Sequence, residues 1–134
     1  MSDPAAYLTK ALDRREAAAK AATPGPWRHN PDKHWRKPGT SWWEEAVFAG
    51  PAGPDATCVA GTGETDDPQS MADAHHIAAH DPAWTLRDVA TKRWALAEYE
   101  RMASANYTGA ETASADIIEP LIRALAETEG WTDG

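Results

Sequence analysis

The chain has one cysteine, Cys58, in 134 residues, so no intramolecular disulfide and no paired-cysteine metal knuckle can form; a reducing compartment fits best. It has one phenylalanine, and no apolar run approaches the roughly 18–20 residues needed to span a bilayer. The first residues lack the apolar segment of a signal peptide, so the chain is read as soluble and cytoplasmic, with no membrane partner. Positive charge is scarce and uneven. The formal net charge is −8; residues 1–40 hold eight Lys/Arg against four Asp/Glu, and residues 41–134 hold five against seventeen. An acidic body repels phosphate backbones, which argues against nonspecific nucleic-acid binding, while the basic opening segment can still meet a discrete anion. Motifs that would name a reaction are missing too: there is no GxSxG, no HExxH, no Cys–His nucleophile signature and no P-loop. The residues therefore point to no catalytic group and call for no cofactor. With no internal repeat, the length suits a single domain, 1–134, around one modest core.

In place of phenylalanine the chain uses tryptophan: Trp27, Trp35, Trp42, Trp43, Trp84, Trp94 and Trp131. Indole buries a large area while keeping an N–H that needs a partner, so most of them are expected as core filler. Residues 1–22 read as a helix. Asp3-Pro4 supplies a cap and a first turn; Leu8, Leu12, Arg15, Ala19 and Ala22 fall on one face beside Tyr7 and Ala11; Thr23-Pro24-Gly25-Pro26 ends it. Residues 27–61 form a β-rich, Trp-rich segment. Residues 41–49 and 56–60 make an antiparallel hairpin around the loop Gly50–Asp55, with a third strand near Trp27–His29.

Gly61–Asp67 reads as a loop, and residues 67–131 as helical. Asp67-Pro68 caps a helix to about His80, and Asp81-Pro82 restarts another to about Ala103, with Leu86, Val89/Ala90, Arg93/Trp94 and Leu96/Ala97 as its apolar face. After a loop over Asn106–Ala113, Ile117, Ile118, Leu121, Ile122 and Leu125 mark the most hydrophobic helix, with Pro120 near its start. The expected class is α+β: an N-terminal helix, a small antiparallel sheet of two or three strands, then three helices packed on it.

Three constellations could carry chemistry. His76 and His80 are four apart, so on a helix both rings leave one face at the spacing of two metal ligands, with Asp73, Asp81 or Cys58 as conceivable partners; His75 points elsewhere. The zinc-protease glutamate is missing, since Ile77 follows His76, and the bland reading of the pair is a helix–helix corner with His80 near a helix C-terminus. Gly61-Thr62-Gly63-Glu64-Thr65 follows a strand but has no phosphate-loop lysine, and reads as a flexible connection. Trp35, Trp42 and Trp43 interleave with Arg28, His29, His34, Arg36 and Lys37, the one place where aromatics and positive charge mix. Flat rings stack on bases and guanidinium groups grip phosphate, so this patch suits a nucleotide. Neighbouring tryptophans on a strand face opposite ways, so one of Trp42 and Trp43 must look for a partner outside the core. Arg28, Trp35, Arg36, Lys37, Trp42 and Trp43 are the ligand-binding candidates; the alternative is a loop packed over its own sheet.

Two motifs, AATPGPW at Ala21–Trp27 and DAHHIAAHDPAWTLRDVATKR at Asp73–Arg93, make the chain resemble a family of small proteins of unknown function from actinobacteria and their phages. That family's pattern is a short helix ending ATPGPW, a variable Trp-containing middle, and DAxHIAxHDPxxVLRxVxAKR; here Thr85 stands where the pattern prefers Val and Thr91 where it prefers Ala. Many members carry a Cys-containing segment before the last helix, which this chain lacks, so no metal role transfers. A looser likeness is to phage early accessory proteins that share the ATPGPW turn. The resemblance implies no reaction. It implies a phage or prophage-type accessory protein acting stoichiometrically, in counter-defence or host modulation, by capturing a nucleotide-like ligand or a host protein, with self-association as a way to build a composite pocket. The alternatives are a metal-dependent hydrolase using His76 and His80, and a structural or virion docking component.

Overall fold

Asp3 opens the first helix by accepting from the amides of Ala5 and Ala6, both at 3.3 Å. From there the computed structural model describes residues 3–29, 44–51, 55–104 and 110–134, the side chains of Glu44 and of residues 110–115 excepted. The elements run α1 (Pro4–Ala21), β1 (Trp27–His29), β2 (Glu44–Ala49), β3 (Thr57–Glu64), α2 (Pro68–Ala79), α3 (Pro82–Ser104) and α4 (Ala110–Thr128). This is the expected α+β order: a helix, a three-stranded antiparallel sheet, then three helices. No helix among the described residues is long and apolar enough to cross a membrane. The chain divides into two compact units, Ala18–Leu86 and Met1–Ala17 with Arg87–Gly134.

In the unit Ala18–Leu86 the strands lie in the order β1-β2-β3, with Trp27 opposite Ala49, Arg28 opposite Phe48 and His29 opposite Val47. Residues Glu45 to Ala49 of the middle strand are all buried, as a strand covered on both faces requires. Helix α2 lies against all three strands. The stretch expected as a loop, Gly61–Glu64, is instead the second half of β3. Glycines have low strand preference, which is why it reads as a loop. The pairing tolerates them through two bulges: Glu45 faces Gly63 while Ala46 faces Gly61, leaving Thr62 over, and Val59 is left over between Ala60 and Cys58. The Thr62 hydroxyl donates to the Ser70 carbonyl at 2.8 Å, tying β3 to the first turn of α2. Gly63 has a φ of +142°, and the Ser70 side chain occupies the place a Cβ would take, so only glycine fits. Asp67 caps α2 as expected, accepting from the Ser70 amide and hydroxyl, both at 2.9 Å.

In the other unit Ala5, Leu8 and Leu12 of α1 meet Val89, Ala95 and Leu96 of α3 and Ile118, Ile122 and Ala126 of α4, with Trp131 closing the cluster. Each fully buried leucine or isoleucine contributes about 2 kcal/mol. The core face of α3 keeps Val89 and Leu96 of the expected set and loses the other member of each pair. It runs Val89, Leu96 and Tyr99, so Ala90 and Ala97 are exposed and Trp94 is 65% exposed. Among the described tryptophans only Trp131 is buried, Trp27 is half-buried, and Trp84 and Trp94 are exposed, which corrects their reading as core filler. Helix α4 starts at Ala110, within the expected loop, because Ala and Glu at its start are strong helix formers. Pro120 therefore falls mid-helix, on an exposed position. The helix ends in a six-residue reversal, Trp131 N–H to Ala126 carbonyl at 3.0 Å, with Gly130 at φ +99°.

Candidate functional site

The two family-like motifs meet at one carboxylate. Asp81 precedes α3, and its Oδ1 accepts from the Trp84 amide at 2.9 Å as a helix cap. Its other oxygen, Oδ2, accepts from the Trp27 amide at 3.3 Å. A Cβ on Gly25 would sit 2.9 Å from that same oxygen, so the glycine of the turn lets the two segments close up. The Trp27 indole N–H donates back to the Thr23 carbonyl at 2.8 Å, closing the turn from its own side. In this arrangement ATPGPW and the Asp-Pro after His80 are the two halves of a clasp that fixes where β1 begins.

Next to the clasp, β1 and α2 flank an open cleft of about 430 Å³ lined by Trp27, Arg28, His29, His75, Ala78 and Ala79. The residues His75, Ala78 and Ala79 fall three and four apart, so they share one face of α2. Two methyl side chains leave the floor open. Arg28 lies across from Phe48 in the sheet, and one of its terminal nitrogens, Nη2, donates to the Gly50 carbonyl at 2.8 Å. Its other N–H donors have no partner among the described residues. The His29 Nε2 lies 2.7 Å from Oε2 of Glu45, a carboxylate whose side chain is 1% exposed. Glu45 is held from its other oxygen by the Asp66 amide at 2.9 Å, at a residue with φ +61°. The His29 Nε2–H donates to the Glu45 carboxylate, which sets the ring's orientation at the edge of the cleft. The cleft is thus bordered by one tryptophan, two alanines, one arginine and two histidines.

Of the expected binding residues, Arg28 lines this cleft; Trp35, Arg36, Lys37, Trp42 and Trp43 lie outside the described residues, as does His34. Trp27 and His75 line it without having been expected to, and His29 was expected only as part of the basic patch. The signal was available in the run Trp-Arg-His directly after the proline turn, an aromatic followed by two cationic types. His76, in the last turn of α2, and His80, its C-cap, are exposed with ring centroids 4.4 Å apart, and no third carboxylate, thiol or imidazole is grouped with them among the described residues. Cys58 is exposed.

The rest of the longer motif is architecture in the other unit. Arg15 Nη1 reaches Asp88 at 2.6 Å and Glu129 at 2.7 Å, and Lys92 reaches Glu129 at 2.7 Å and Asp88 at 3.2 Å, a closed square of alternating charge. Burial pushes the Asp88 carboxyl up, but the hydrogen bonds and charges of Arg15 and Lys92 outweigh it and hold it below its ordinary value. Arg15 is likewise raised, against desolvation, by its two carboxylate partners. Arg93 bonds Asp13 at 2.9 Å and Glu16 at 2.7 Å on α1, and its guanidinium is raised chiefly by the bond to Asp13. Asp88, Lys92 and Arg93 are therefore accounted for by packing α3 on α1.

The model of a family of unknown function, DUF6221, matches residues 1–128, and the chain belongs to that family. No curated protein and no solved structure matches the chain.

Proposed function

We propose that this family member is a stoichiometric binding protein, and that the cleft between β1 and α2 captures a flat anionic ligand of nucleotide type. The observation that carries the reading is the cleft lining, in which Trp27, Arg28, His29 and His75 gather with Ala78 and Ala79. A ring system gains by stacking on indole, and a phosphate gains charge-assisted bonds from guanidinium. The volume of about 430 Å³ falls in the range of small-ligand sites. Trp35, Arg36, Lys37, Trp42 and Trp43 follow Arg28 in the chain and remain part of the proposed site, as further rings and cations of the same kind. The phage or actinobacterial setting, and a role in counter-defence or host modulation, rest on the motif resemblance alone.

Native mass spectrometry of untagged protein purified from cells, beside a denatured control, tests the reading. An added mass of a few hundred daltons that vanishes on denaturation supports capture and names the molecule. Arg28→Ala should then weaken binding by about 10-fold to 100-fold, the loss of one charge-assisted hydrogen bond. It should cost only about 1 kcal/mol of stability, from the bond to Gly50. A clean mass, together with no heat on titrating a panel of nucleotides, would refute ligand capture and turn attention to a host protein target.

A further inference from the structure

We propose that His76 and His80 form a bidentate site for a divalent transition-metal ion, with zinc and copper as the metals that suit it. His76 stands in the last turn of α2 and His80 is the residue that caps its C-terminus; their ring centroids lie 4.4 Å apart with the planes tilted by 41°. His80 is an exposed side chain fixed from two sides. Its Nδ1 lies 2.8 Å from the His76 carbonyl, and the Trp84 ring meets it edge-on at 4.5 Å. A carbonyl can only accept, so Nδ1 carries the proton and Nε2 keeps the lone pair. That is the tautomer a metal needs, stabilised by the backbone contact that metal-bound histidines commonly make. The His76 ring nitrogens have no hydrogen-bond partner among the described residues. Because both rings are exposed, an ion can reach them without opening the fold.

Two neutral imidazoles favour zinc, copper and nickel over magnesium and calcium, which prefer oxygen donors. With no third protein ligand among the described residues, the remaining coordination positions are left to water or to a donor from a bound molecule. The site is distinct from the proposed ligand cleft, which is lined by His75 and not by His76 or His80.

The test uses the untagged full chain, titrated with zinc chloride by calorimetry and with copper sulfate by tryptophan emission. Trp84 touches His80, so copper bound there quenches it. The expected result is one saturable ion per chain, with affinity at least about tenfold weaker in His76→Ala and in His80→Ala. The melting temperature of metal-free His76→Ala should match the parent, whereas His80→Ala also loses its bond to the His76 carbonyl and should melt a little lower. Trp84→Phe should keep the zinc heat while losing the larger part of the copper-dependent quenching. No saturable binding below about 1 mM metal, or undiminished binding in the His76→Ala/His80→Ala double variant, would overturn the proposal.

Discussion

Replacing Asp81 by alanine should loosen two segments that lie 54 positions apart in the chain. The carboxylate caps α3 through the Trp84 amide, and loss of such a cap costs about 1 kcal/mol. It also accepts from the Trp27 amide, and leaving that N–H without an acceptor beside a 9%-exposed residue adds about 1–2 kcal/mol. Together the loss is roughly 2–3 kcal/mol, or about 6–15 °C in melting temperature for a chain of this size. Urea unfolding followed by tryptophan emission measures the total. Amide hydrogen exchange at Trp27 measures the local part, which should lose its protection well before the core of the sheet. Asp81→Asn is the graded control: its single carbonyl oxygen can serve one of the two amides, so about half the loss should remain. A variant Asp81→Ala within about 0.5 kcal/mol of the parent, or unchanged exchange at Trp27, would show that the clasp is not an energetic feature.

His29→Ala strips a buried carboxylate of its imidazole and should cost about 3 kcal/mol in denaturant unfolding. Adding Glu45→Gln should return part of that loss, because an amide oxygen can still accept from the Asp66 N–H with no charge left to bury; no recovery would mean the charge is not what is being held. Acid stability should depend on Asp88. Its carboxyl is lowered in the folded chain, so the stabilisation is fully present above the ordinary carboxylate value of about 4 and is lost as pH falls through the lower folded value. Arg15, shifted upward, stays charged throughout that window. Asp88→Asn should therefore flatten the stability–pH curve below about pH 4, and an unchanged slope would contradict the assignment.

The parts of the fold legible in the sequence were those written in local chemistry. Asp67-Pro68 and Asp81-Pro82 announced two helix starts, Thr23–Pro26 a stop, and Leu8 and Leu12 the buried side of α1. What stayed hidden was long-range. Nothing near Gly25 shows that it abuts Asp81, and nothing near Gly63 shows that Ser70 fills its missing side chain. Gly61–Glu64 misled because propensity describes an isolated strand, whereas bulges and α2 decide this one. On α3 the buried Val89 and Leu96 were legible, while the exposure of Ala90 and Ala97 was not, because alanine occurs on both sides of the helix. For the site, the pairing of aromatic and cationic residues around Arg28 was visible. The contribution of His75 from α2 was not, since it depends on where that helix lands on the sheet.

Ala78 and Ala79 have a wider meaning than their size suggests. The cleft exists because α2 presents methyl groups where most helices would present longer side chains. Room in the proposed site therefore depends on two positions that a scan for catalytic or charged residues would pass over. A relative that keeps the turn, the clasp and the ion-pair square but carries leucine or lysine at either position would share the scaffold while having its chamber plugged. Sorting relatives by those two residues would separate open from closed members, and so divide by occupancy what the shared motifs group by architecture.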